Sequence, residues 1–383
     1  MKYFGFLLHF YQPPWQYKEA LAKISAECYY PLLKMINDHP CARFTVNINY
    51  SLVELLKQHG HEEVLSLLAQ AVQSGKIELT NSGAYHPILP LLDEEEINRQ
   101  IDLNEQGIKS ILGLEVNKGF FPPEMAFSPE LAATLKNRNC EWTITDDATF
   151  NAIYGYVPHD FIPQTNGLPV ILRSHYWSSV IAFRQRRGKI FDRLDFEVKN
   201  WFGHHDGYVV VGMDAETFGH HHAGYIEELA KFLDDLTSVG NEKGWTFKTI
   251  SEICRQFPAR PMEVPAGSWS TDADDIKRNV PFPLWDDPLN LAHHLLWELT
   301  NLVLEHRNEL SPETRPLLDK ALNSCQFWWV ARYRRDYDNA FQTIPIFWKI
   351  VRDLKNPKVT RWTKKIIKDL SQITNYSFHL EGF

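Results

Sequence analysis

Glu124 stands in the stretch GFFPPEMAF (119–127), behind Pro122 and Pro123 and between aromatic residues. Two pyrrolidine rings fix the backbone ahead of the carboxylate and remove two backbone donors, which suits holding one side chain still. The default for a Glu in a loop is a solvated surface position. A carboxylate does chemistry when a second titratable group works with it, one as nucleophile or base and the other as acid. Asp214 and Glu216, in MDAETFGHH (213–221), are the first such partners. They follow an apolar run, and their two-residue spacing puts both on one face of an extended chain. A further acidic group, Asp272 with Asp274 and Asp275 in GSWSTDADDI (267–276), follows Trp269, and its members would serve equally well as a helix cap. His9, His86 and the run His220–His222 raise the question of a metal. Zinc sites need three or four ligands at close local spacing, and no such set accompanies these histidines, so no metal or other cofactor is expected. Trp15, Tyr85, Trp177, Trp269, Trp328 and Trp329 offer flat faces for stacking, and Trp15 and Trp269 stand nearest the polar motifs.

These residues need a scaffold, and the first two thirds of the chain supplies one by alternating apolar runs with helical segments. YFGFLLHF (3–10) is apolar throughout, as a strand covered on both faces should be. Further strands are expected at 42–49, 76–83, 140–147, 169–174 and 207–216, with helices over 52–75, 93–113 and 224–240. Repeated strand–helix units over roughly 250 residues favour a parallel barrel, whose chemistry gathers at the C-terminal ends of the strands. His9, Asp214 and Glu216 fall at the ends of predicted strands, Tyr85 and His86 just after one, and Glu124 just after the apolar GFF (119–121). From 259 the pattern changes: ARPMEVPAGS (259–268) marks a boundary, and 288–307, 311–333 and 359–374 have helical spacing. The expected organisation is therefore α/β: a barrel over 1–258, and a helical region over 259–383 packed on it and adding one wall of a cleft.

Composition narrows the functional classes. The chain has 383 residues, 44% hydrophobic and 23% charged, enough apolar content for a large core. Net charge is −8, and the most basic stretch, RWTKKIIKDL (361–370), reads as the solvated face of one helix, so no nucleic-acid partner is expected. No apolar run is long enough for a membrane span, and the first residues read as a buried strand rather than a signal peptide. The five cysteines lack paired spacing and suit reduced thiols in a cytoplasmic protein. There is no phosphate-cradling loop and no nucleophile-elbow motif. The sequence gives no reading of oligomeric state.

The chain resembles glycoside hydrolase family 57 over most of its length. HFYQPPW (His9–Trp15) stands for a motif centred on His-Gln-Pro; SGAYHPILPLL (82–92) is similar to the second, GFFPPEMAF to the third, and MDAETFGHH to one that usually carries Asp-Gly-Glu. The resemblance implies an incomplete (β/α)7 barrel followed by helices. It also implies a retaining mechanism with Glu124 as nucleophile, in which a second carboxyl group roughly 5–5.5 Å away acts as acid and base. In the motif where the resemblance places that acid, this chain reads RSHYWSSVIAF (173–183), with Ser174 and Ser179 at the aspartate positions. A serine hydroxyl is no general acid near neutrality. Asp214 is the first replacement, Asp272 or a neighbour the second, and the third possibility is that no acid exists. His9, Gln12, Trp15, His86, Glu216, Trp269 and Asp272 would then contact sugar.

The expectation is a compact hydrolase or transglycosylase of α-linked glucans or oligosaccharides. Two alternatives stay open: a carbohydrate-binding protein that lost its acid, and a metal-dependent deacetylase on a similar barrel.

Overall fold

A computed structural model describes residues 1–184, 190–203, 205–380 and 382. The chain divides into two compact units, Met1–Ala84 with Leu89–Trp269, and Tyr85–Ile88 with Ser270–Phe383.

The first unit is built on ten strands: β1 (Lys2–Phe10), β2 (Phe44–Ile48), β3 (Ile77–Leu79), β4 (Gly119–Phe120), β5 (Trp142–Asp146), β6 (Ile162–Thr165), β7 (Leu168–Arg173), β8 (Gly207–Asp214), β9 (Trp245–Lys248) and β10 (Ala259–Pro261). β8, β1, β2 and β3 pair in parallel in that order, as do β4, β5 and β7. A parallel bridge, Asn81 to Phe120, joins the two sheets. Where β7 meets β8 no strand ladder forms among the described residues, and the Ser174 N–H reaches the Val210 carbonyl at 2.8 Å. Seven parallel strands thus curve into a barrel left open at that seam, the incomplete (β/α)7 architecture expected.

Side-chain parity explains how the strands are covered. Phe4, Phe6, Leu8 and Phe10 of β1 join a cluster with the helical residues Leu21, Leu32 and Leu52, whereas Tyr3 and Leu7 join Trp142, Ile144, Ile171 and Val210. Successive residues of a strand point to opposite faces, so the first set faces the helices and the second fills the barrel. Both environments are apolar, hence the unbroken apolar run.

The expected helix over 52–75 is two helices, Tyr50–Gln58 and Glu62–Gln73, because the chain turns at Gly60 with φ 78°. Glu94–Leu112 begins on the Asp93 side chain, which accepts from the Glu96 N–H, and stops at Gly113 in the left-handed conformation. The stretch 259–268 is structured: β10 pairs with β6, and Gly267 exchanges backbone hydrogen bonds with Phe127 at 2.8 and 3.0 Å. The first unit accordingly runs to Trp269, eleven residues beyond the break expected after residue 258.

The second unit is helical. Leu291–Leu304 starts on Asn290, Pro357–Thr374 starts on Asn356, and between them lie Arg315–Ala321, Cys325–Trp328 and Ile344–Leu354. No helix among the described residues is long and apolar enough to cross a membrane.

Candidate active site

The parity that fills the barrel also aims its last side chains. On β1 the inward residues are odd-numbered and end at His9; on β8, where Tyr208 and Val210 face inward, they end at Asp214. The register sets His9 opposite Asp214 on one side and opposite Asn47 of β2 on the other. By the same alternation Asp146 closes β5 and Arg173 closes β7. Five strands thus end in inward-facing polar residues at one mouth of the barrel, the end where such folds keep their chemistry.

Glu124 enters this mouth from the loop after β4. Its backbone is left-handed (φ 59°, ψ 16°), and Met125 follows at φ 49°. Non-glycine residues seldom adopt this region, and strain of this kind persists where the surroundings over-determine it. Three features do so here. Pro122 and Pro123 fix the approach, Thr145 Oγ1 donates to the Met125 carbonyl at 2.9 Å, and the Trp269 N–H reaches the Glu124 carbonyl at 3.3 Å. The side chain is held as well, since Trp269 Nε1 donates to Glu124 Oε2 at 2.7 Å. The exchange between Phe127 and Gly267 aligns the two segments for this contact.

Glu124 and Asp214 both keep part of their surface open while being closely surrounded, as groups lining a concavity are. Burial, followed by the charge of Asp214, pushes Glu124 up to about 8, against the lowering effect of the Trp269 hydrogen bond. Burial pushes Asp214 up to about 6, with Arg173 opposing. No hydrogen-bond donor among the described residues holds Asp214. Near neutrality the two carboxyl groups therefore carry about one proton between them.

Around the pair lie groups that fix orientation. His9 stacks on Phe121 at 4.7 Å and 23°, and its Nδ1 donates to Asn47 Oδ1 at 2.7 Å. Burial lowers it to about 4, so it is neutral at physiological pH. Arg173 pairs with Asp146, donates from Nε to the Gly212 carbonyl at 2.9 Å, and sits 5.7 Å from the centre of the Trp269 ring. Glu216 is buried, accepting from the Tyr29 hydroxyl and, at 3.1 Å, from Gln12 Nε2. Burial and the Asp214 charge push it up to about 8. Its loop fits because Gly219 has φ 106°, and a Cβ there would lie 1.9 Å from the Glu27 carbonyl oxygen. Trp15 is half-buried, and its indole N–H has no partner among the described residues although the atom is buried.

The sequence-derived residues thus fall into two groups. His9, Gln12, Trp15, Glu124, Asp214, Glu216 and Trp269 all belong to the barrel unit. His86 and Asp272 belong to the second unit. There His86, buried with φ 59°, bonds Ser324 Oγ at 2.8 Å through Nδ1. Asp272 caps Ala273–Lys277 by accepting from the Asp274 and Asp275 N–H groups and pairs with Arg332 at 3.2 Å. Ser174 is buried, and its hydroxyl accepts from the Trp177 N–H at 3.3 Å at the head of His175–Arg184.

Sequence reasoning missed Tyr29, Asn47, Asp146 and Arg173 as members of the mouth. Asn47 and Asp146 carried a usable signal, since each is the last inward position of a recognised strand. Among the described residues no group of three His, Cys, Asp or Glu side chains is arranged to hold a metal.

Comparison with known proteins places this geometry in a lineage. The profile of glycosyl hydrolase family 57 matches residues 7–266. An α-amylase of Pyrococcus furiosus is 32% identical over 151 residues, 38% of this chain and 22% of that protein. A 4-α-glucanotransferase of Thermococcus litoralis is 26% identical over 151 residues, again 38% of this chain and 22% of that protein. The matches thus span about a fifth of these relatives' own length. Among solved structures, a 4-α-glucanotransferase from Thermococcus litoralis superposes with a TM-score of 0.72 at 20% identity, covering 91% of this chain and 59% of that one. A branching enzyme from Thermococcus kodakaraensis, solved in complex with glucose, gives 0.69 at 15% identity, covering 97% and 94%.

Proposed function

The chain belongs to glycosyl hydrolase family 57, and on that premise we propose that it is a retaining enzyme of α-linked glucans or oligosaccharides, with Glu124 as nucleophile and Asp214 as acid and base. The observation that carries the reading is the coupling of these two carboxyl groups at one barrel mouth, one clamped by Trp269 and the other without a donor. A clamped carboxylate is suited to attack; an unclamped carboxyl is suited to pass a proton out and back.

In the first step a Glu124 oxygen bonds the anomeric carbon while Asp214 protonates the departing glycosidic oxygen. In the second, Asp214 takes a proton from water or from a sugar hydroxyl, which displaces Glu124. Without substrate the shared proton favours Glu124, about 8 against about 6. A bound glycoside reverses that preference: the glycosidic oxygen accepts a hydrogen bond only from protonated Asp214, and the electron-poor anomeric carbon favours ionised Glu124. Neutral His9 and the exposed side of Trp269 are suited to a pyranose hydroxyl and a pyranose face, and Trp15 adds an indole N–H in need of an acceptor.

Five cysteines stand as free thiols, which fits a reducing compartment such as the cytoplasm.

The reading is tested by incubating the wild type and Glu124→Gln with maltoheptaose and following the products by chromatography. Shorter or longer α-glucans are expected from the wild type, with a loss of at least about 10³-fold in the variant. Binding of maltoheptaose by the wild type without any turnover would instead establish a binding protein.

A further inference from the structure

Beyond the ends of β5 and β7, among residues 147–159, 174–176 and Trp201, lies a cavity of about 530 Å³, within the roughly 300–1,000 Å³ typical of small-ligand sites. Neither Glu124 nor Asp214 lines it. One flank is aromatic. Trp201 stacks on His159 at 5.2 Å and 14°, and His159 is anchored by its Nδ1 to the Tyr208 carbonyl at 3.1 Å. Trp201 is nevertheless 40% exposed. Tyr176, from Ile190–Phe202's neighbouring helix His175–Arg184, is 39% exposed and joins the same lining.

The lining also carries polar groups. Asp147 and Asn151 sit four residues apart on the helix Asp147–Tyr154 and so share a face. Asp147 Oδ1 accepts the His175 N–H at 3.1 Å, and the His175 imidazole lies 3.3 Å from the Asp146 carboxylate. Burial and the neighbouring Asp146 charge push Asp147 up to about 7, which lets it donate as well as accept near neutrality.

A half-exposed indole lining one cavity with carboxyl, amide and imidazole groups matches a flat apolar ring rimmed with hydroxyls. The acidic groups disfavour an anionic ligand. We propose that this cavity is an accessory glucan-binding site, in which one pyranose stacks on Trp201 and its hydroxyls bond Asp147, Asn151 and His175. The ligand class rests on the α-glucan reading above; the site itself does not. Its role is to hold a stretch of polymer beside the barrel mouth and raise the residence of long chains.

Affinity electrophoresis through gels containing soluble amylose tests it on the full chain, because retardation needs no turnover. Trp201→Ala and Asn151→Ala are compared with the wild type, with melting temperatures recorded for each. The expected result is at least about tenfold weaker retardation for Trp201→Ala, a smaller loss for Asn151→Ala, and turnover of a short aryl maltoside within about twofold of wild type. Unchanged retardation in both variants overturns the proposal. So does an equal loss of aryl maltoside turnover and retardation in folded Trp201→Ala, which would make the cavity part of the catalytic centre. Retardation lost in the variants while no glycoside is turned over by the wild type would sink the catalytic reading and leave this site standing.

Discussion

Trp269 donates its indole N–H to Glu124 Oε2 at 2.7 Å, across 145 residues of sequence. The bond stabilises the ionised carboxyl over the protonated one, so it works against the burial that pushes Glu124 up to about 8. Trp269→Phe keeps the ring and removes the donor. Glu124 would then hold its proton more tightly, and the upper limb of the kcat/KM profile would move to higher pH, with kcat falling about tenfold. A fall in activity with the upper limb fixed would assign Trp269 to substrate contact alone.

The wild-type profile itself is expected to be a bell with limbs near about 6 and about 8. Below the lower limb both carboxyl groups are protonated and the nucleophile is lost; above the upper limb both are ionised and the acid is lost. A profile that keeps rising past about pH 9 would show that no carboxylic acid delivers the proton.

Asp214→Asn separates the two roles. A nitrophenolate leaves without much protonation, whereas a sugar alkoxide does not. The variant should lose about 10²–10⁴-fold on maltoheptaose and far less on a nitrophenyl maltoside. Equal losses on both substrates would give Asp214 a binding role.

Much of this was readable from residue order, and the reasons for the rest are physical. The strand ends were legible because β1 and β8 are buried on both faces and therefore apolar, so the polar residue near the end of each, His9 or Asp214, stands out. The hairpin of β6 and β7 was readable but unread: Asn166 and Gly167 take φ 49° and 79°, the conformation an Asn-Gly pair favours. The stretch 259–268 was read as a boundary because Pro and small residues punctuate chains. Here the same residues form an edge strand and a strap, since a short edge tolerates proline and close approach favours glycine. The Trp269–Glu124 bond and the Tyr29–Glu216 bond had no sequence signal, because each depends on a long-range pairing that no local pattern encodes.

Glu216 yields a stability prediction. Its folded value is raised to about 8, chiefly by burial, from an ordinary value of 4.5. The stability this contributes is complete below the unfolded value and disappears as pH rises through about 8. Glu216→Gln removes the titration while keeping an acceptor for Tyr29 and Gln12. Relative to wild type it should melt higher by roughly 2 °C at about pH 9 and show no such gain at about pH 5. An offset independent of pH would contradict the titration.

Arg173 and Asp146 are both buried and paired. Arg173→Met leaves the Asp146 charge with a half-exposed imidazole as its remaining side-chain partner, at a cost of about 3–5 kcal/mol. Arg173→Met with Asp146→Leu should recover most of that loss in chemical denaturation. A double variant no more stable than the single one would show that the arginine contributes by other contacts.

The central claim is that Glu124 attacks the anomeric carbon, and covalent capture tests it most directly. The protein would be incubated with a fluorosugar that forms a slowly hydrolysed glycosyl-enzyme, then digested and its peptides sequenced by mass spectrometry. The account predicts one added sugar on Glu124; a label on Asp214, or rapid inactivation with Glu124 unmodified, would contradict it.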